Sequence, residues 1–315
     1  MQKAATTAFP PCLTQAPLPR SLAEYTALAD LTDIGAAFEP LALAGTLFDD
    51  ALITTQNAGA LISCRGGYGA LQRSDMPLRL TRSERRADIR FACSQSVNMT
   101  KVRQDDSISL IALDRDCLVQ HRVQLGTISD ISVAHNLEGH PHDAPSATPP
   151  DASNVIPFGA IRRARHDWQA SDVGQHLNDF LINRGRLRFQ TLPYAGRNKA
   201  WEVGWRVLPS FVTFLSDKAF STARMVVGDG LIHMDVGALT DAETYGDVVM
   251  AGFGTRRFAL DFRRVRHAWV TYVKGCAQLE LYDDRGAALA IIGADPYANI
   301  GEFADMLLAL PPQRR

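Results

Sequence analysis

The sequence predicts an α+β fold dominated by antiparallel sheets, built as two tandem homologous domains that each carry one large sheet with packed helices. Three observations predict it. Short apolar runs ended by turn residues recur along the chain, as around Asp283-Asp284-Arg285-Gly286, which is hairpin chemistry. Three blocks of the first half lie over three blocks of the second, in the same order and at nearly one offset. Between the halves, the stretch from His135 to Ser153 keeps no large apolar residue except Leu137 and reads as an exposed linker. The expected organisation is an N-terminal repeat over 20–134, a flexible linker over 135–153 and a C-terminal repeat over 154–315.

The elements follow in order. Ser21 to Leu31 reads as a helix near the start. ALISCRGG from Ala60 lies over LIHMDVGA from Leu231 at an offset of 171, keeping Gly66/Gly237. Ile89 to Val102 lies over Leu260 to Val273 at 171, keeping Phe91/Phe262, Thr100/Thr271 and Val102/Val273. SLIALDRD from Ser109 lies over QLELYDDR from Gln278 at 169, keeping Leu110/Leu279 and Asp114/Asp283. Helices are expected at Ser171 to Arg184 and Ile300 to Leu310.

Composition narrows the function classes. A chain of 315 residues with 46% hydrophobic and 21% charged residues and a net charge of -1 has no global field to attract nucleic acid or an anionic membrane. The five cysteines are odd in number and free of any C-x-x-C pair, which points to a reducing compartment rather than a disulfide framework. The start carries no signal-peptide pattern, and no window approaches the roughly 20 apolar residues of a membrane helix. A cytoplasmic protein without membrane insertion is expected.

The helix after the linker carries the chemistry. Ser171 suits an N-cap, and Val173, His176, Leu177, Phe180 and Leu181 recur at helical spacing, so His176 falls within the apolar stripe. Gln175, Asn178, Asp179 and Asn183 fall on the wet side. Arg184, Arg186 and Arg188 follow directly. A core histidine beside a solvated basic face would give this pattern. A haem site would give it too, because iron takes a neutral imidazole, porphyrin takes an apolar slot, and propionates take guanidinium partners.

On these residues the chain resembles the haemin-degrading and haem-trafficking family of HemS/ChuS (ChuX-like) type, as a divergent member. The nearest stretch is AWVTYVKGCAQLELYDDRGAALAIIGADPYANIGEF, supported upstream by MVVGDGLIHMDVGAL and FALDFRRVRHAWV and, in the first half, by ITTQNAGALISCRGGYG and SISLIALDRDCLVQHRVQL. The resemblance implies one haem in the C-terminal half, held by a histidine in a W…D-V-H-x-F-F helix. The matching stretch is WQASDVGQHLNDFLINRGRLRFQ from Trp168. Counting from Trp168 puts the ligand at Gln175; the helical stripe puts it at His176, which becomes the expected cofactor and metal ligand. Arg188 in RFQTL matches the family's R-x-Q-A-L arginine, so the resemblance implies Arg188 as a second cofactor-binding residue, near the haem propionates. The chain departs from the family at Tyr272-Val273-Lys274-Gly275, at Ile292-Gly293-Ala294-Asp295, and at Gln56-Asn57, where an arginine-asparagine pair would stand.

The expected function is haem binding for haem utilisation, by trafficking or by degradation with iron release. Its implied partners are haem, a haem donor or acceptor protein, and a second copy in a homodimer. The alternative is a non-catalytic member of the same fold that binds another apolar ligand or a protein. A third reading, a metal site from His135, His140, His142 and Asp143, places its ligands in the linker. No G-x-S-x-G, P-loop, H-E-x-x-H or strand-linked G-x-G-x-x-G is present, and Gly252-Phe253-Gly254 reads as a turn.

Overall fold

The structure, a computed structural model, describes residues 30–35, 38–69, 86–91, 98–104, 107–114, 116, 118–137, 173–181, 183–273 and 275–313. The first half runs β1 (Asp30–Gly35), α1 (Glu39–Gly45), β2 (Ala51–Gln56), β3 (Ala60–Tyr68), β4 (Arg86–Phe91), β5 (Asn98–Gln104), β6 (Ser107–Leu113), β7 (Val119–Gln124) and α2 (Ile128–His135). The second runs α3 (Val173–Leu181), α4 (Arg186–Thr191), β8 (Ala200–Val203), α5 (Leu208–Asp217), β9 (Ser221–Val227), β10 (Leu231–Ala238), β11 (Thr240–Tyr245), β12 (Val248–Phe253), β13 (Arg256–Asp261), β14 (His267–Val273), β15 (Cys276–Tyr282), β16 (Ala288–Ala294) and α6 (Ile300–Leu308).

Strand order is β1-β5-β6-β7-β2-β3-β4-β10-β9-β16-β15-β14-β8, with β13, β12 and β11 branching from β3. Among the described residues every pairing of named strands is antiparallel except β3 with β4. The expected α+β, antiparallel-rich class is what the chain adopts. Read outward from the centre, the order is β3-β2-β7-β6-β5-β1 on one side and β10-β9-β16-β15-β14-β8 on the other. The β5–β6 hairpin closes on Gln104↔Ser107 and the β14–β15 hairpin on Val273↔Cys276, so the two hairpin ends lie 169 residues apart (104 to 273, 107 to 276).

The halves also exchange contacts. β4 of the first pairs with β10 of the second, and β13 of the second pairs with β3 of the first. Asn57, in the β2–β3 turn, donates from Nδ2 to the carbonyls of Val227 (2.9 Å) and Leu289 (2.7 Å) and accepts from the amides of Gly59 and Ala60 (2.9 Å each). From the other side, Gln120 of β7 donates to the Asp229 carbonyl (3.1 Å) and accepts from the Asp229 amide (2.5 Å) in the β9–β10 turn.

The second-half sheet is covered on both faces, which explains why β16 is a continuous apolar run rather than an alternating one. On one face Phe211, Val212 and Leu215 of α5 and Phe303 and Leu307 of α6 pack on Val226, Val270, Leu279 and Ile292. On the other, Leu177, Phe180 and Leu181 of α3 pack on Met225, Val227, Trp269, Tyr282 and Ile291. The first half builds its own core from Phe38, Leu41, Phe48, Ile53, Met99, Leu110 and Val123.

Two expectations change. Asp30 and Leu31, read as the end of a helix, lie in β1 opposite Arg103 and Val102; Leu31 packs beside Val102 and Ile111, so tertiary packing overrides the local pattern. Residues 21–29 lie outside the described residues. At the expected start of the linker, His135 is the last residue of α2, whose Thr127 side chain caps it by accepting from the Asp130 amide at 3.1 Å. Residues 138–153, with His140, His142 and Asp143, lie outside the described residues.

Candidate functional site

Helix α3 forms where the apolar spacing puts it. Leu177 and Phe180 are fully buried and Leu181 nearly so, while Asn178 and Asp179 face solvent. Arg90 of β4 donates to the Asn178 side chain at 2.6 Å, tying the helix to the first half. Residue 176 sits on this helix one turn before Phe180; the side chains of residues 173–176 lie outside the described residues.

The chain leaves α3 through Asn183–Gly185, where Arg184 takes φ 54° and ψ 40° and Gly185 takes φ 70°. Both are left-handed, a conformation that costs a non-glycine residue about 1 to 2 kcal/mol. A Cβ on Gly185 would lie 2.8 Å from the Phe180 ring, so the turn presses its backbone against the buried face of α3.

The three arginines of this turn differ in what they meet. Arg188, on α4, is buried, with Nε and Nη2 donating to the two carboxylate oxygens of Glu280 at 2.9 and 2.5 Å. Its Nη1 lies 3.7 Å from Asp179, and its guanidinium sits 5.0 Å from the Phe180 ring centre. Glu280 also accepts from Thr271 (2.6 Å), Gln278 (2.9 Å) and Tyr282 (2.5 Å). Burial would raise the Glu280 pKa, but Arg188 beside it and these donors hold it below the usual carboxylate value. Burial likewise opposes the Arg188 charge, and Glu280 more than offsets it, so the guanidinium pKa is raised. The pair is ionised, fork to fork.

Arg184 and Arg186 show the opposite situation. Among the described residues, Nε and Nη2 of Arg184 and Nε of Arg186 are buried without a hydrogen-bond partner; so is Nε1 of Trp269, which lies in the same apolar cluster as Leu177 and Phe180. All four atoms are donors. The sequence therefore located the basic turn but not which of its arginines is committed.

A second polar group lies between the halves and was not legible in the sequence. Thr55 Oγ1 of β2 sits 2.7 Å from His121 Nδ1 of β7 and 3.0 Å from His233 Nδ1 of β10. Tyr68 Oη is 2.5 Å from His121 Nε2, and Cys64 Sγ is 3.9 Å from His233 Nε2. All five side chains are buried. Burial, with His233 nearby, pushes the His121 pKa down to about 3; burial, partly offset by Asp235, pushes that of His233 down to about 4. Both imidazoles are neutral at pH 7. With Tyr68 as terminal donor, one orientation satisfies the chain: phenol to His121, His121 to Thr55, Thr55 to His233, His233 toward sulfur. Burial, followed by the charge of Asp235, raises the Cys64 thiol to about 12, so it is no nucleophile at neutral pH.

Of the remaining sequence-predicted positions, Lys274 lies outside the described residues and several others make internal contacts. Gln56 donates to the Val119 carbonyl at 3.1 Å. Ile292 is buried in β16, and buried Asp295 accepts from Ser221 Oγ at 2.6 Å and from the Tyr297 amide at 2.8 Å. Gly254, with φ 57°, turns the β12–β13 hairpin. His135 is exposed, and among the described residues no three His, Cys, Asp or Glu side chains are placed to hold a metal. No helix among the described residues is long and apolar enough to cross a membrane.

No protein-family profile and no curated protein sequence matches the chain. Solved structures do. Holo-PhuS, a heme-binding protein from Pseudomonas aeruginosa, superposes with a TM-score of 0.75 at 15% identity, over 90% of this chain and 88% of that one. The heme degrading enzyme ChuS of Escherichia coli O157:H7 gives 0.72 at 15% identity, over 90% and 87%. ChuS described as an E. coli heme oxygenase gives 0.69 at 15%, over 91% and 90%. The chain shares their fold along nearly its whole length.

Proposed function

We propose that this chain is a cytoplasmic haem-binding protein of haem utilisation, with the haem held in the second half against α3 and His176 as its axial ligand. The observation that carries the proposal is the turn after α3: an apolar helix seated on the sheet leads into arginines whose buried donors have no acceptor. The donor set fits haem, which brings two carboxylates, a flat apolar ring and an iron that takes imidazole. The fold shared with a heme-binding protein and a heme-degrading enzyme supports the same reading.

In this proposal Arg188, assigned by the sequence to the propionate end, contributes from beneath. Its forked bond to Glu280 and its contacts with Asp179 and Phe180 fix α3 and α4 on the sheet, and so fix the direction of the ligand helix. Bound haem would supply the redox chemistry of its iron; the chain supplies the ligand, the apolar wall and the charge partners. Carriage and degradation are both open to such a site. We also propose that the two halves are an internal duplication, supported by their matching strand orders and hairpin ends.

One observation favours the alternative of a non-catalytic chain with another apolar ligand or a protein partner. Gln56 and Asp295, at positions where the resembled family carries arginines, are spent on internal hydrogen bonds. The variants His176→Ala and Gln175→Ala decide the ligand: the proposal expects His176→Ala alone to abolish the bound haemin spectrum. An unchanged spectrum in His176→Ala contradicts it.

A further inference from the structure

We infer that Arg184 and Arg186, rather than Arg188, receive the carboxylates of the ligand. The inference rests on the haem reading for the ligand's identity, and on the structure for the need of an anion. Native proteins pair nearly all their buried donors, so unmatched guanidinium nitrogens mark a place where an acceptor is missing. Arg184 leaves two of its three nitrogens in that state and Arg186 one.

Two comparisons within the molecule sharpen this. Arg224 and Arg256 also leave Nε unmatched, but each pairs one other nitrogen with the carboxylate of Asp235, so each has an acidic partner. Arg188, two residues from Arg186, is balanced by Glu280 and has taken Asp179, the acidic residue of α3. Arg184 and Arg186 take part in no ion pair among the described residues. Arg184 is moreover held in a left-handed backbone conformation that a glycine would adopt without cost, which is expected where the side chain itself is needed.

What satisfies several N–H donors on two guanidinium groups is a pair of carboxylate oxygens or a second carboxylate, bound in the planar, forked manner that arginine prefers to lysine. Between the two arginines, Gly185 packs on the buried Phe180 and Ala288, which fixes the turn that carries them. On the haem reading, the two propionates are the carboxylates that would meet these donors.

The test compares haemin with its dimethyl ester, which keeps the ring and iron but has no carboxylate, on the wild-type chain and on Arg184→Met/Arg186→Met. The inference expects the variant to bind haemin at least tenfold more weakly and to bind the ester as the wild type does. The ligand-free variant should melt at an unchanged or higher temperature, because it loses unmatched buried donors. If the Met variant does not fold, Arg184→Lys/Arg186→Lys replaces it, with a smaller but still ligand-specific loss. Equal haemin affinity in variant and wild type, or equal losses for haemin and ester, overturns the inference. If the wild type binds neither porphyrin, the haem reading fails and the anion site is judged alone. A rise in wild-type melting temperature with aliphatic dicarboxylates at constant ionic strength, absent in the variant, sustains it; equal responses overturn it.

Discussion

Replacing Glu280 by leucine removes the acceptor at the centre of the polar group beneath α3 and takes from the buried Arg188 guanidinium its forked carboxylate partner, leaving Asp179 at 3.7 Å as the nearby acidic group. Five donor contacts end on that carboxylate, two from Arg188 and one each from Thr271, Gln278 and Tyr282. Breaking a buried pair from one side costs about 3 to 5 kcal/mol, most of it the penalty of the stranded charge. Arg188→Met strands the carboxylate instead and should cost a similar amount. In the double variant no charge is stranded, and the remaining loss is that of three donors, about 1 kcal/mol each at most where water or a rotamer change relieves them. The two single costs should therefore exceed the double cost by about 3 kcal/mol or more. Urea unfolding of the four proteins at pH 7, at constant m-value, measures this coupling. Costs that add to within about 0.5 kcal/mol would refute the argument that the pair acts as one buried unit.

Other outcomes follow from the same structure. Because His121 and His233 are held neutral with pKa values lowered from 6.5 to about 3 and about 4, the unfolded chain binds more protons below pH 6.5. The stability they contribute is present above that value and is lost as pH falls toward 4, by about 4 kcal/mol for the two together at pH 5. Urea midpoints at pH 7 and pH 5 should show this fall in the wild type and a smaller one in His121→Gln/His233→Gln; equal falls would contradict it. Gly286→Ala should lower stability by more than the roughly 1 to 2 kcal/mol of a left-handed alanine. Its Cβ would stand 2.4 Å from the Phe189 ring, which packs on Tyr282 and His267, so near-ultraviolet dichroism should change together with the melting temperature.

Much of this architecture could be read from residue order. Asp283 to Gly286 turns a hairpin because Asp283 Oδ1 accepts from the amides of Arg285 and Ala287 and Gly286 supplies φ 70°; these are local causes, and local causes leave local signatures. The buried side of α3 was legible for the same reason. An offset between the halves is harder to fix from sequence, because side chains in a strand alternate with period two and a slip of two keeps every residue on its face. Only the hairpin ends fix the register. Glu280 and Arg188 stand 92 residues apart, and Thr55 and His233 stand 178 apart. Nothing near Glu280 in sequence marks it as a buried acceptor, since its strand alternates as a half-exposed one would. Likewise the run Arg184-Gly185-Arg186-Leu187-Arg188 shows three equal charges, and only the fold reveals that one is matched and two are not.

The central claim is tested most directly by titrating the ligand-free wild-type chain with haemin and following the Soret band. The account predicts a saturable shift at one haem per chain, with the spectrum of an imidazole-ligated iron. Absorbance that rises linearly as for free haemin, with no shift and no saturation, would contradict it.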